Sequence, residues 1–232
     1  WSSMEFAMYI PPTGLMGGLL TRGVTITHTD DAENLLKLSA ETMPAMNGVD
    51  EGGIKFRTTF ESGADEIAGT EVAKYSVNMI FPPEMMQQAQ GMMMMFGGSG
   101  PRGFMLAGKG AVISTMGTDK KLVEKTLGNL AGDGGDRLGT NPLVTSIAKQ
   151  LPKDRVAEGY IAVGDIMRMI VPMAAMFLGP NMQIEIPDEL PPIGFAMTMD
   201  KGEAGSTTFV PMQLIQSVHD IVQTLSAAAA PT

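Results

Sequence analysis

Apolar and polar residues alternate with a period of two along many stretches of the chain, which predicts strands. These stretches are 4–10, 24–28, 54–60, 72–80, 104–107, 111–115, 156–163, 193–199 and 206–210. Between them apolar residues recur every three to four positions, the period of a helix with one buried face. Leu35 and Leu36, with Leu38 or Met43, make such a face after Asp30, which is placed to cap a helix with Glu33 in its first turn. Leu122, Val123, Thr126, Leu127 and Leu130 follow Thr118-Asp119, and Leu143, Ile147 and Leu151 follow Asn141-Pro142. The cleanest stripe is Leu214, Ile215, Val218, Ile221, Val222 and Leu225, in a helix opened by Pro211. The stretch 166–178, capped by Asp165, is apolar almost all round, with Arg168 its one charge and Pro172 placed to kink it.

Turn residues connect these elements. Gly108-Lys109-Gly110 and Lys201-Gly202-Glu203 read as hairpin turns, and the acidic run 61–70 as a long connection between two strands. Residues 15–20 read as a helical turn or two, weakened by Gly17 and Gly18, while 97–103 and 131–139 read as loops and 227–232 as a frayed end. A strand followed by proline and then a helix occurs at Ile10-Pro11-Pro12, at Phe81-Pro82-Pro83 and at Val210-Pro211. Residues 24–96 and 156–227 share one order: strand, helix, hairpin, proline, helix.

These patterns predict an α+β fold. Antiparallel curved sheets are built from hairpins with amphipathic helices on one face, in two related β-α-β-β-α units. The expected divisions are 1–23 as the tail of a preceding unit, 24–103 as the first unit, 104–152 as a linking hairpin with two helices, and 153–232 as the second unit.

Composition narrows the functional classes. The 232 residues carry a net charge of −9, which repels phosphate backbones and argues against nucleic acid as a partner. There is no cysteine, which removes disulfides, thiolate chemistry and cysteine zinc sites, and suits an oxidising compartment. No apolar run reaches the roughly 18 residues of a membrane span. The chain begins at Trp1 without a signal-peptide pattern and reads as a processed piece of a longer product.

Methionine is abundant, at 22 residues, and Met85, Met86 and Met92 to Met95 crowd one helix. Soft sulfur ligands suit Cu(I). Four consecutive helical residues nevertheless point all round the axis, so these cannot converge on one ion. Met85, Ala89, Met92, Met93 and Phe96 share one face, the pattern of a pliable packing or binding surface. The candidate partner-binding residues are Met85, Met92, Met93 and Phe96 here, with Met169, Met173, Met176 and Phe177 in the all-apolar stretch. His28 near Asp30 and Asp31, and His219 beside Asp220, lack a second histidine nearby and read as solvated or singly hydrogen-bonded. Gly97 to Gly103 follows a helix where a phosphate cradle must precede one. Glu61, Asp65 and Glu66, and the acidic 133–136 loop, match no calcium-loop pattern. No catalytic group, metal site or cofactor motif is read from the chain.

The run Leu106 to Asp119, the Asn141-Pro-Leu-Val segment, Gly159 to Asp165, and Pro191-Pro192-Ile193-Gly194 resemble uncharacterised bacterial envelope-associated proteins with a domain of unknown function. The resemblance covers about residues 100–227. It implies an exported, non-catalytic protein and carries no functional residues. Together these readings predict an exported structural or protein-interaction module capable of self-assembly. The alternative is a carrier of lipid or another hydrophobic ligand using the methionine-rich and apolar helices.

Overall fold

The computed structural model describes residues 3–9, 18, 20–98, 100–132, 138–178, 186–200 and 203–228. The expected helical turn at 15–20, most of the 131–139 loop, the 201–202 turn and the last residues of the tail lie outside these. The chain divides into two compact units, Trp1–Gly134 and Gly135–Thr232.

The first unit is built on a seven-stranded, curled antiparallel sheet. Its strands are β1 (Ser3–Met8), β2 (Gly23–His28), β3 (Asp50–Glu51), β4 (Ile54–Ile67), β5 (Thr70–Ile80), β6 (Arg102–Gly108) and β7 (Ala111–Met116). They lie in the order β1-β2-β7-β6-β5-β4-β3. The helices are α1 (Ala32–Ala45), α2 (Met86–Met95) and α3 (Lys120–Ala131). The α+β class and the antiparallel sheet are as the periodicities predict.

Several local expectations are corrected. The cap of α1 is Asp31, which accepts from the Asn34 amide, so Asp30 stands one residue outside. The acidic run 61–70 is strand rather than connection: β4 and β5 pair to their ends and turn on Ala68 and Gly69, with a bulge between Glu61 and Asp65. The turn needs positive φ at both residues (50° and 74°), which glycine adopts freely and alanine only at a cost. The β6–β7 hairpin, expected in a linking segment, forms the middle of the sheet. Likewise, β1 belongs to this sheet, as its edge beside β2.

Helices cover both faces of this sheet, not one. Phe104 and Leu106 of β6 and Ile113 of β7 point to one side with Val24 and Val72, and α3 buries Leu122, Val123 and Leu127 against them. Each such side chain contributes about 1.5–3 kcal/mol by leaving water. Met105, Val112 and Ser114, the alternate residues, point to the other side, where α1 lies over β4, β6 and β7. The end of α1 is held by Asn47, whose carboxamide accepts from the Thr58 amide at 2.7 Å and donates to its carbonyl at 3.0 Å. The buried Thr58 hydroxyl donates to the Met43 carbonyl at 2.6 Å. Asp119 caps α3 with one carboxylate oxygen and accepts from Arg22 Nε with the other at 2.9 Å, tying the helix to the chain entering β2. Gly103 has no side chain because a Cβ there would overlap the Thr115 carbonyl.

The second unit has a three-stranded antiparallel sheet, order β10-β9-β8, of β8 (Arg155–Ile161), β9 (Ile193–Asp200) and β10 (Glu203–Phe209). Its helices are α4 (Pro142–Ala148), α5 (Val163–Leu178) and α6 (Met212–Ala228). Asn141 caps α4 as expected, and Val144, Ile147 and Leu151 are buried. The close approach of Ile147 and Leu151 to Gly194 seats α4 on the sheet face that carries Ala196. Asp165 does not cap α5. The helix starts two residues earlier, and the Asp165 carboxylate accepts from Arg168 at 2.8 Å. The helix continues through Pro172 to Leu178.

The order strand, helix, hairpin, proline, helix occurs in both units. The pairing differs. In the second unit β8 lies beside β9, the first strand of the hairpin. In the first unit β7 and β6 stand between β2 and the hairpin, and it is the hairpin's second strand, β5, that faces inward.

Candidate interaction surfaces

Several ionisable groups are engaged in holding the fold. His28 hydrogen-bonds Glu5 across β1 and β2 at 2.9 Å, and His219 meets Gln223 one turn along α6 at 2.9 Å. Asp31 is a cap and Asp30 is exposed. Asp65, one of the acids in the 61–70 run, lies 2.7 Å from Lys120 Nζ and 3.3 Å from Lys74 Nζ. The hydrogen bond from Lys120, then the Glu66 amide, lowers its carboxyl to about 2. Burial pushes the Tyr75 phenol up from its ordinary value, and its hydroxyl donates to the Thr115 carbonyl at 2.7 Å. Burial also raises Tyr160, with Glu158 nearby adding to the shift. Among the described residues no three His, Asp or Glu side chains gather as metal ligands would.

The methionine helix has the face its spacing predicts. Ala89 is buried and Met85, Met92, Met93 and Phe96 are half-buried, while Met86, Met94 and Met95 are exposed on the other sides. The C-terminal turn of α2 is anchored where the Leu20 amide donates to the Met95 carbonyl at 2.7 Å. The side chains of Met169, Met173, Met176 and Phe177 lie outside the described residues. On the described part of α5, Ile166 and Ile170 are exposed.

Helix α6 is covered on one side only, among its described residues. Leu214 is 2% exposed, but Val222 is 53% exposed, and Ile215 and Val218 are exposed with it. Positions 215, 218 and 222 are three and four apart, so they share one flank of the helix. The helix therefore forms as its period predicts, and among the described residues its stripe is covered along the side of Leu214 and Ile221. On β9, Met197 and Met199 (67% exposed) alternate on the sheet face opposite Ala196, with Ile161 of β8 exposed there too. A third apolar row is Met4, Phe6 and Met8 on β1, all exposed. Periodicity finds these elements but assigns their apolar sides to the core. The signal for β9 is its apolar composition on both faces, from Phe195 to Met199.

A groove of about 270 Å³ opens between α1 and the sheet of the first unit. Met4, Leu35, Met105 and Val112 line it, with the hydroxyls of Thr27, Ser39 and Ser114. Chemically, these surfaces offer apolar contact with a few hydrogen-bonding hydroxyls and no charge. Compared with known proteins, the chain matches no family model, no curated protein and no solved structure.

Proposed function

We propose that this chain is a non-catalytic, exported structural or protein-interaction module that works by association, with a further copy or another protein, through the apolar flank of α6. The observation that carries this reading is the exposure of Ile215, Val218 and Val222 along one side of a regular amphipathic helix. An apolar helical stripe at i, i+3 and i+7 is the form in which helices enter a partner's groove or pack on another copy. Covering each of these side chains would contribute about 1–2 kcal/mol, enough together for a specific contact. The engagement of Asp65, Asp119 and His28 in structural pairs supports a role without turnover. The absence of cysteine and the resemblance to envelope-associated proteins support an envelope or extracellular location.

Light scattering over a concentration series tests this. The wild-type chain is expected to exceed its 24.6 kDa monomer mass or to retain a protein partner, and the Ile215→Gln/Val222→Gln variant to lose that contact. A strictly monomeric wild type that also retains no partner would sink the reading.

The groove under α1 favours a second reading, a carrier of a lipid or other small hydrophobic ligand. Its volume of about 270 Å³ suits a short acyl chain, and its hydroxyls suit one polar end. Native mass spectrometry of gently purified protein is expected to show a bound amphiphile that Leu35→Glu removes. A bare mass in both would end this reading.

A further inference from the structure

The sheet of the first unit ends in two very different edges. On one side β3 is two residues long, both acidic, which is how sheets blunt an edge. On the other, β1 (Ser3–Met8) is six residues with one charge, no proline and an apolar alternate row, and among the described residues no strand pairs with its outer side. We infer that β1 pairs with β1 of a second copy of this chain, antiparallel and centred on Phe6, to join two sheets into one.

The backbone groups on the outer side of β1, which no described strand pairs, set the phase of that pairing. Residues of an antiparallel strand alternate between bonding one neighbour and the other. The Tyr9 amide donates to the Arg22 carbonyl at 2.7 Å in register with Met8 opposite Gly23. Tyr9, Ala7, Glu5 and Ser3 thus point their amides and carbonyls at β2, and Met4, Phe6 and Met8 point theirs outward. A pairing centred on Phe6 sets Phe6 opposite its own copy and Met4 opposite Met8, so all the outward groups meet partners.

Side chains select the same register. With Phe6 at the centre, Glu5 faces Ala7 of the other copy. The apolar row Met4, Phe6, Met8 continues into Met8, Phe6, Met4 on one face of the joined sheet. A shift that centres Glu5 sets two carboxylates opposite each other, which is unfavourable. Among the described residues β1 is the one long open edge of this sheet, so a two-fold pairing through it closes as a dimer. This inference shares with the proposed function only the expectation of contact between copies; it rests on a different surface.

The absence of cysteine makes the test direct. In the Phe6→Cys chain the two thiols would sit across a hydrogen-bonded pair, about 5.5 Å between Cα atoms, within disulfide reach. In the Glu5→Cys chain they would be about 8 Å apart and on the opposite face. Mild oxidation is expected to give a covalent dimer of the first and not of the second. Phe6→Lys is expected to weaken dimerisation at least tenfold in light scattering, with an unchanged thermal melt. Equal cross-linking at both positions, cross-linking at neither, or an undiminished dimer in Phe6→Lys overturns the inference. A dimer lost in the Ile215→Gln/Val222→Gln variant and kept in Phe6→Lys leaves the α6 reading standing and removes this one. The reverse result does the opposite.

Discussion

Asp65 holds two cations at once, Lys74 from the paired strand and Lys120 from the first turn of α3. Beyond the bulge that follows Glu61, Asp65 stands opposite Val72, on the face that α3 covers. Its carboxyl is lowered from 3.8 to about 2, so the folded state holds the charged form more tightly than the unfolded chain does. The stabilisation is complete above about pH 5 and is lost as pH falls toward 2. In urea denaturation across pH, wild type should exceed Asp65→Asn by a constant margin near neutrality, and the margin should vanish toward pH 2. A margin independent of pH would rule out the ion pairs as its source. The sequence shows an acidic residue in an acidic run. It does not show that Lys74 and Lys120, from two other elements, converge on this one acid.

The caps Asp119 and Asn141, the α3 face and the shared side of Met85, Ala89, Met92 and Met93 are all readable from local spacing. Each is settled within a turn or two of its own helix, where caps and periodicity act. Periodicity fails for α6 in a different way. It identifies the stripe correctly and says nothing about whether another element reaches it. Leu214 sits where the stripe is covered, so Leu214→Ala should cost about 2–4 kcal/mol in chemical denaturation. Val222→Gln should change stability by less than about 0.5 kcal/mol, because its side chain is already in water. Equal costs at the two positions would show that the whole stripe is buried.

The core formed by Val24, Ile67, Val72, Phe104, Leu106, Ile113, Leu122, Val123 and Leu127 lies wholly within the first unit. That unit, with helices on both faces of its sheet, contains what a domain needs to fold. The fragment 1–134 should therefore unfold in one cooperative step on its own. A fragment without a sigmoidal melt by circular dichroism would mean that its stability depends on the rest of the chain. In the second unit, one sheet face is packed by α4 while Met197, Met199 and Ile161 stand exposed on the other. Apolar surface of this kind, with the α6 flank and the β1 row, is what the proposed association would cover.

By itself the sequence determined the α+β class, nearly every strand and helix, the β6–β7 turn and the inward side of α2 and α3, because these follow from periods and caps read over a few residues. The tertiary structure alone decided the strand order, with the β6–β7 hairpin in the middle of the first sheet, and the different pairing of two segments that share one element order. It also decided which apolar rows are covered. Coverage depends on residues far apart along the chain: α3 reaches Phe104 and Leu106, and the described elements leave Val222, Met199 and Phe6 exposed. Local pattern can make a residue apolar and aim it, but only packing between distant segments removes it from water.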